Sequence, residues 1–311
     1  MDKVGRLTGA KAVVAHLRGA LAATWSELVA RSGKSAVLTA RAHGLIAAVL
    51  PGIYAVSGTE HTFRVRATAL TLWTAPNGRV TGLAAAHLWA VIDAAPSTIT
   101  VHVPPAWHLA VPDWARLLRV AARGDHYSSG GIALVSAADA VVQSWREARP
   151  DVGASTVIAA VDREVATASE LREALALRKR IPGRQELDEL LSIVGDGVTS
   201  YLEFIARRDV FPPRFFPQLR WQVEVWPNGR RRVMDACDAE AMIDLEFDGR
   251  ATHGGDEAFV RDRERDNEMR SIGYEPLRYT FQDVTKRPQW CRQNYLAVRA
   301  VRLKQLGRVV A

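Results

Sequence analysis

The chain has 311 residues, of which 48% are hydrophobic and 24% are charged, and its formal net charge is +7. This is the composition of an ordinary globular protein, and the length accommodates two or three domains. No apolar run approaches ~20 residues and the first 20 residues lack a signal-peptide core, so no transmembrane helix is expected and a cytoplasmic protein is. The basic balance favours an anionic partner, most commonly nucleic acid. The two cysteines form no C-x-x-C pair, so a zinc site is not expected.

The first 58 residues predict three helices followed by two short strands. Thr24 and Glu27 form a capping box for a helix that runs to about residue 31. Ser35 is expected to cap a third helix over residues 36–43, and the strands flank the turn at residues 51–52. This order is typical of a winged helix-turn-helix over residues 1–58.

In a winged helix-turn-helix, the third helix reads DNA with its polar side chains. The residues expected to contact DNA here are Lys34, Ser35, Thr39 and Arg41. The alternative is a small helical domain that contacts another protein.

The same segment resembles the N-terminal winged helix of AbiEi-type antitoxins, in which a helix-turn-helix leads into a wing such as Gly52-Ile53-Tyr54. A weaker likeness continues over residues 59–150, an expected α+β region, and residues 151–194 are expected to form a helical connector. The resemblance implies transcriptional autorepression and a cognate toxin as a possible partner, and it does not imply catalysis.

Acidic residues dominate the chemistry of the C-terminal third. Glu203 lies in a helical stretch, Asp235 is expected to end a short strand, and the next strand carries Asp244, Glu246 and Asp248. Strand side chains alternate between faces, so these last three share one face while residues 243, 245 and 247 face the core. A hairpin through residues 236–241 would place Asp235 beside Glu246.

Carboxylates that lie this close repel one another unless a cation lies among them. We therefore expect Asp235 and Glu246 to hold Mg²⁺, with Glu203 assisting through a water or a second metal. Asp248 is expected to orient the site or to add a ligand. The alternative is a solvated acidic strand face that binds nothing.

The stretch around these acids resembles the domain of very-short-patch-repair endonucleases, which belong to the PD-(D/E)XK restriction-endonuclease-like superfamily. The matching residues, within roughly 195–290, are Glu246, Asp248, Gly249, His253, Arg265, Asp266, Gly273, Tyr274 and Arg278. The resemblance implies Mg²⁺-dependent hydrolysis of DNA phosphodiester bonds by a domain over residues 195–311.

By the same resemblance, the catalytic residues are Glu203, Asp235, Glu246, Asp248 and His253. The superfamily's lysine is absent because position 248 is Asp, and Arg250 and His253 are the candidates for its role. Arg230, Arg231 and Arg232, close to Asp235 in the chain, are expected to hold the substrate phosphate.

Taken together, the sequence predicts a multidomain α/β protein that binds double-stranded DNA and carries a Mg²⁺-dependent endonuclease domain. The alternative is a non-catalytic antitoxin-like regulator whose nuclease domain is degenerate. The oligomeric state is not predicted.

Overall fold

The computed structural model describes residues 3–108, 110–120, 127–178, 180–196, 199–248 and 256–308. The chain divides into an N-terminal unit, Met1–Pro182, and a C-terminal unit, Gly183–Ala311. Helices occur in both units, and the described residues form three sheets, so the fold is mixed α/β as expected. Within the described ranges, no helix is long and apolar enough to cross a membrane.

The N-terminal unit contains, in chain order, α1 (Lys3–Ala20), β1 (Ala23–Thr24), α2 (Trp25–Ser32), α3 (Lys34–Ala42), β2 (Ile46–Leu50), β3 (Ile53–Val56), α4 (Phe63–Trp73), β4 (Arg79–Thr81), α5 (Gly82–Leu88), β5 (Ile99–Val103), β6 (Ala115–Arg119), β7 (Tyr127–Ser129), β8 (Ile132–Leu134), α6 (Ala137–Glu147), α7 (Pro150–Asp162) and α8 (Ala168–Ala176).

The first three helices pack around a small core that includes Val13, Leu28 and Val37, beside a sheet of strand order β1-β3-β2. The capping box at α2 is confirmed, since the Thr24 hydroxyl accepts from the Glu27 N–H at 3.1 Å and the Glu27 carboxylate accepts from the Thr24 N–H at 2.8 Å. The sequence therefore identified this helix start correctly.

The predicted start of the third helix is wrong by two residues. Helix α3 begins at Lys34 and its N-cap is Gly33, so Ser35 lies inside the helix. Gly33 has φ 81°, a conformation that glycine adopts without steric cost, and this lets α3 follow α2 directly.

A second sheet, of strand order β6-β5-β4-β8-β7, completes the strands of the N-terminal unit. Its core is aliphatic and includes Leu70, Val101 and Leu134. Helix α6 packs against β4 and α5 of this region with its apolar face, and α7 packs against α6.

The C-terminal unit contains α9 (Arg184–Ile193), a 3₁₀ turn (Val194–Asp196), α10 (Tyr201–Ile205), a π-helical turn (Ala206–Val210), β9 (Leu219–Val225), a 3₁₀ turn (Pro227–Gly229), β10 (Arg232–Asp238), β11 (Ile243–Asp248), α11 (Asp256–Ser271), β12 (Glu275–Thr280), α12 (Phe281–Lys286) and α13 (Pro288–Gln305).

Its four strands form a sheet of order β12-β11-β10-β9, in which β11 and β12 are parallel and the other neighbours are antiparallel. Phe211 is the centre of an aromatic core. Its ring contacts the rings of Phe247, Tyr279 and Tyr295 at centroid distances of 5.7–6.1 Å. This core holds β11 and β12 in place, and these two strands carry the acidic and basic side chains described next.

Candidate active site

The acidic residues of β11 are buried, contrary to the solvated-face alternative. Asp244 is 1% exposed and Glu246 is 4% exposed, whereas Asp248, at the strand end, remains partly exposed. The apolar residues Ile243, Leu245 and Phe247 are buried as well, so β11 is covered on both faces. Buried carboxylates are costly unless they are paired or neutralised, so this pattern indicates a site.

Asp235 joins these residues from the neighbouring strand. Residues 236–238 of β10 pair with 243–245 of β11, and the same antiparallel register continued by one step sets Asp235 opposite Glu246. The Asp235 carboxylate accepts a hydrogen bond from the Phe247 N–H at 2.8 Å. The predicted juxtaposition is therefore observed, but Asp235 lies inside β10 and does not end the strand, because the strand continues to Asp238.

Glu203 reaches the same region from α10. It is buried, and its carboxylate accepts from the Thr199 hydroxyl at 2.8 Å, the Thr199 N–H at 3.1 Å and the Gln222 side-chain amide at 2.6 Å. Burial, and then the neighbouring charges of Glu246 and Glu203, raise the pKa of Asp235 to about 8. Glu203 and Glu246 therefore lie within electrostatic reach of Asp235.

Gln222 holds Glu203 through a local distortion of β9. Its φ is +52° in the middle of a strand, and the β9–β10 register passes from the pair Val223–Met234 to the pair Trp221–Ala236 without an intervening pair. A non-glycine residue in this conformation is strained, and such strain persists where the surrounding structure imposes it. The sequence carries no signal that distinguishes Gln222 from any other polar strand residue.

We call Glu203, Asp235, Asp244 and Glu246 the acidic cluster. Burial raises the pKa of both Asp244 and Glu246, and the charge of Arg265 opposes the rise at both. Neither Asp244 oxygen accepts a hydrogen bond from a donor in the described part of the chain, although the carboxyl group lies close enough to Glu246 to share a proton with it. The sequence placed Asp244 on this face but did not identify it as a site residue.

One arginine from α11 and one from β12 contact acidic side chains of β11. Arg265 donates to Glu246 at 2.6 Å and to the backbone carbonyl of Val233 at 2.5 Å. Arg278 pairs with Asp248 at 2.9 Å and with Asp266 at 3.0 Å. In the structure, therefore, Glu246 and Asp248 both have guanidinium partners.

The three consecutive arginines lie at the start of β10 and just before it, and they contact carboxylates. Arg230 and Arg232 pair with Glu268 of α11, and Arg231 pairs with Glu224 of β9. His253, with Gly249 and Arg250, lies outside the described residues. The expected DNA-contacting residues all lie on α3, where Lys34, Ser35 and Arg41 are exposed and Thr39 is half-buried.

The donor set suits Mg²⁺, a hard cation that proteins commonly bind through only one or two carboxylates. Asp235 and Glu246 are the residues that could hold such a cation, and the Asp244 carboxyl group lies beside Glu246. Among the residues that the structure describes, no group of three or more histidine, cysteine, aspartate or glutamate side chains is arranged to hold a metal ion.

No protein-family model and no curated protein matches the chain. Among solved structures, one described as the crystal structure of the RV2827C protein from Mycobacterium tuberculosis superposes with a TM-score of 0.40 and 15% identity, covering 64% of this chain and 80% of that chain. A superposition at that TM-score supports no argument about fold or function.

Proposed function

We propose that the chain is a DNA-binding protein whose C-terminal unit is a restriction-endonuclease-like domain, similar to very-short-patch-repair endonucleases, that hydrolyses DNA phosphodiester bonds with Mg²⁺. The observation that carries the proposal is the burial of Glu203, Asp235, Asp244 and Glu246 in one cluster, in which the carboxyl pKa of Asp235, Asp244 and Glu246 is raised. Acids whose pKa values are strongly raised and that lie together are candidates for a functional site.

In this proposal Asp235 and Glu246 hold the metal ion. When bound, Mg²⁺ would supply a Lewis acid for the scissile phosphate and a water of lowered pKa. The Phe247 N–H fixes one Asp235 oxygen, which leaves the other for a cation. Glu203, clamped by Thr199 and Gln222, is placed to orient a water or to accept its proton.

Basic side chains supply the phosphate contacts. Arg278 stands at the open end of β11, where Asp248 is partly exposed, and its guanidinium can bind a phosphate oxygen there. The arginines at residues 230–232 lie three or more residues from Asp235 along the same strand and its approach. In the N-terminal unit, which we propose to be a winged helix of the AbiEi type, the exposed side of α3 would contact the DNA backbone and base edges.

A second function is favoured by the ion pairs at the acids. Glu246 is held by Arg265, Asp248 is held by Arg278, and the superfamily's lysine is missing at position 248. These features suit a degenerate nuclease domain in an antitoxin-like transcriptional regulator, which binds double-stranded DNA, and a cognate toxin, without cleaving anything.

Supercoiled plasmid incubated with the purified protein and Mg²⁺ separates the two functions. For the nuclease, we expect nicking or linearisation that is lost in Asp235→Asn and Glu246→Gln and retained in Asp188→Asn, which changes an exposed acid on α9 of the same unit. Retarded plasmid with no cleavage, and with the same affinity in all three variants, would establish the regulator instead.

A further inference from the structure

The hairpin that joins β9 to β10 has an exposed tryptophan at its tip. Trp226 is 59% exposed and directly follows Val225, the last residue of β9, which pairs with Arg232. The turn is shaped by Asn228 and Gly229, both with positive φ, while Pro227 is buried and anchors it. The indole is thus presented to solvent on a short, well-defined turn.

Two exposed arginines follow on the same turn. The side chain of Arg230 is 71% exposed and that of Arg231 is 62% exposed. Their partners are Glu268, at 3.5 Å from Arg230, and Glu224. Ion pairs of exposed arginines contribute little to stability, so both guanidinium groups can exchange a carboxylate for a phosphate at little cost.

The tip lies at a defined distance from the acidic cluster. Asp235 is three residues beyond Arg232 in β10, and Arg232 pairs with Val225, the residue before Trp226, so about 13 Å of strand separates Trp226 from Asp235. Stacked nucleotides in one strand rise about 3.4 Å each, so this span is roughly four nucleotide steps. An aromatic ring and guanidinium groups at this spacing match the pattern with which proteins hold nucleic-acid strands.

We propose that Trp226 stacks on a nucleobase of the DNA strand that enters the acidic cluster, with Arg230 and Arg231 binding the phosphates beside that base. This inference rests on the proposed function, because it takes DNA as the substrate. The face of a base is accessible only where it is unpaired or unstacked, so the preferred substrate is DNA that is single-stranded or locally opened. A protein partner is disfavoured because two exposed arginines follow the tryptophan on the same turn.

Binding of an oligonucleotide that contains 2-aminopurine tests the stacking directly. Its fluorescence is measured in EDTA, so that binding is read without hydrolysis, on a single-stranded arm and on a fully paired duplex arm. The proteins are the wild type, Trp226→Ala, Trp226→Phe and the control Trp290→Ala, which removes another exposed tryptophan of the C-terminal unit. Because Trp226 is largely exposed, its variants should fold, and a thermal melt checks this.

We expect Trp226→Ala to weaken binding about 5- to 150-fold and to abolish 2-aminopurine quenching. Trp226→Phe should retain most of both, and Trp290→Ala should match the wild type. A larger loss on the single-stranded arm supports a contact with an unpaired base, and an equal loss on both arms overturns the preference for single-stranded or locally opened DNA.

The inference is overturned if Trp226→Ala binds and quenches as the wild type does. Its failure is distinguishable from failure of the proposed function. A wild-type protein that binds neither oligonucleotide refutes DNA binding altogether. Quenching without any Mg²⁺-dependent cleavage supports the stacking and refutes only the hydrolysis.

Discussion

At the scale of single residues, the acidic cluster makes the stability of the metal-free protein depend on pH. Asp235 has a folded pKa of about 8 against an ordinary value of 3.8, and Asp244 and Glu246 are shifted in the same direction. The folded state therefore binds more protons than the unfolded state between about pH 4 and 8, and the free energy of unfolding falls as pH rises through that window, by at most about 1.4 kcal/mol per pH unit for each group.

Urea denaturation in EDTA at several pH values checks this expectation. His102, whose pKa is lowered to about 4 by burial, acts in the opposite sense, so the informative quantity is the difference between wild type and Asp235→Asn. That difference should grow in favour of the variant between pH 5 and 8. A constant difference across the window contradicts the buried state of Asp235.

Arg265 contacts the buried side chain of Glu246, and this contact should stabilise the fold. Arg265 donates to Glu246 and to the Val233 carbonyl, so Arg265→Ala leaves both acceptors without that donor. Because burial and the charge of Asp244 raise the pKa of Glu246, the loss is one of hydrogen bonds to buried groups, and we expect about 1–3 kcal/mol in the free energy of unfolding at pH 7.

The matched control for Arg265→Ala is Arg270→Ala on the same helix, since Arg270 is exposed and only reaches Glu275 at 3.5 Å. It should change the free energy of unfolding by less than about 1 kcal/mol. Equal changes in the free energy of unfolding for the two variants would mean that the Arg265–Glu246 contact stabilises the fold no more than an exposed ion pair does.

At the scale of elements, the capping box of α2 gives a measurable prediction for the N-terminal unit. Thr24→Ala removes the hydroxyl that accepts from the Glu27 N–H, and we expect a loss of about 1 kcal/mol. Thr62 is the N-cap of α4 but forms no side-chain cap hydrogen bond, so Thr62→Ala should cost clearly less. Chemical denaturation of the two variants measures the difference, and equal losses would contradict the capping role.

At the scale of the whole molecule, the net charge of +7 predicts salt-sensitive DNA binding. Each phosphate contact adds about 0.9 to the slope of log affinity against log salt concentration. Removing Lys34 and Arg41 together should therefore reduce that slope by roughly 1–2 if α3 lies on DNA.

The control for this measurement is Arg149→Ala, an exposed arginine paired with Asp151 elsewhere in the N-terminal unit. It should leave the slope unchanged. Titrations of labelled duplex between about 50 and 200 mM salt give the slopes. An unchanged slope in the Lys34 and Arg41 double variant would show that α3 does not contact DNA phosphates.

Local patterns predicted much of the fold because they act over a few residues. The capping box at Thr24, the strands around the turn at residues 51–52, the alternation in β11, the helix α11 and the final helix α13 were all predictable from spacing and turn chemistry alone. The errors were local as well, at the start of α3, where Gly33 replaced Ser35 as the cap, and at Asp235, where β10 continued for three residues.

By itself, the sequence determined which acids share a strand face and which strand follows them, because alternation is a property of the extended backbone. The burial of this face and its contacts follow from the tertiary fold alone. Gln222, in a strained conformation, donates a hydrogen bond to Glu203, and Arg265 and Arg278 pair with Glu246 and Asp248. The physical reason is that burial and pairing depend on packing between elements separated by 19 to 30 residues, and no short-range pattern encodes that packing.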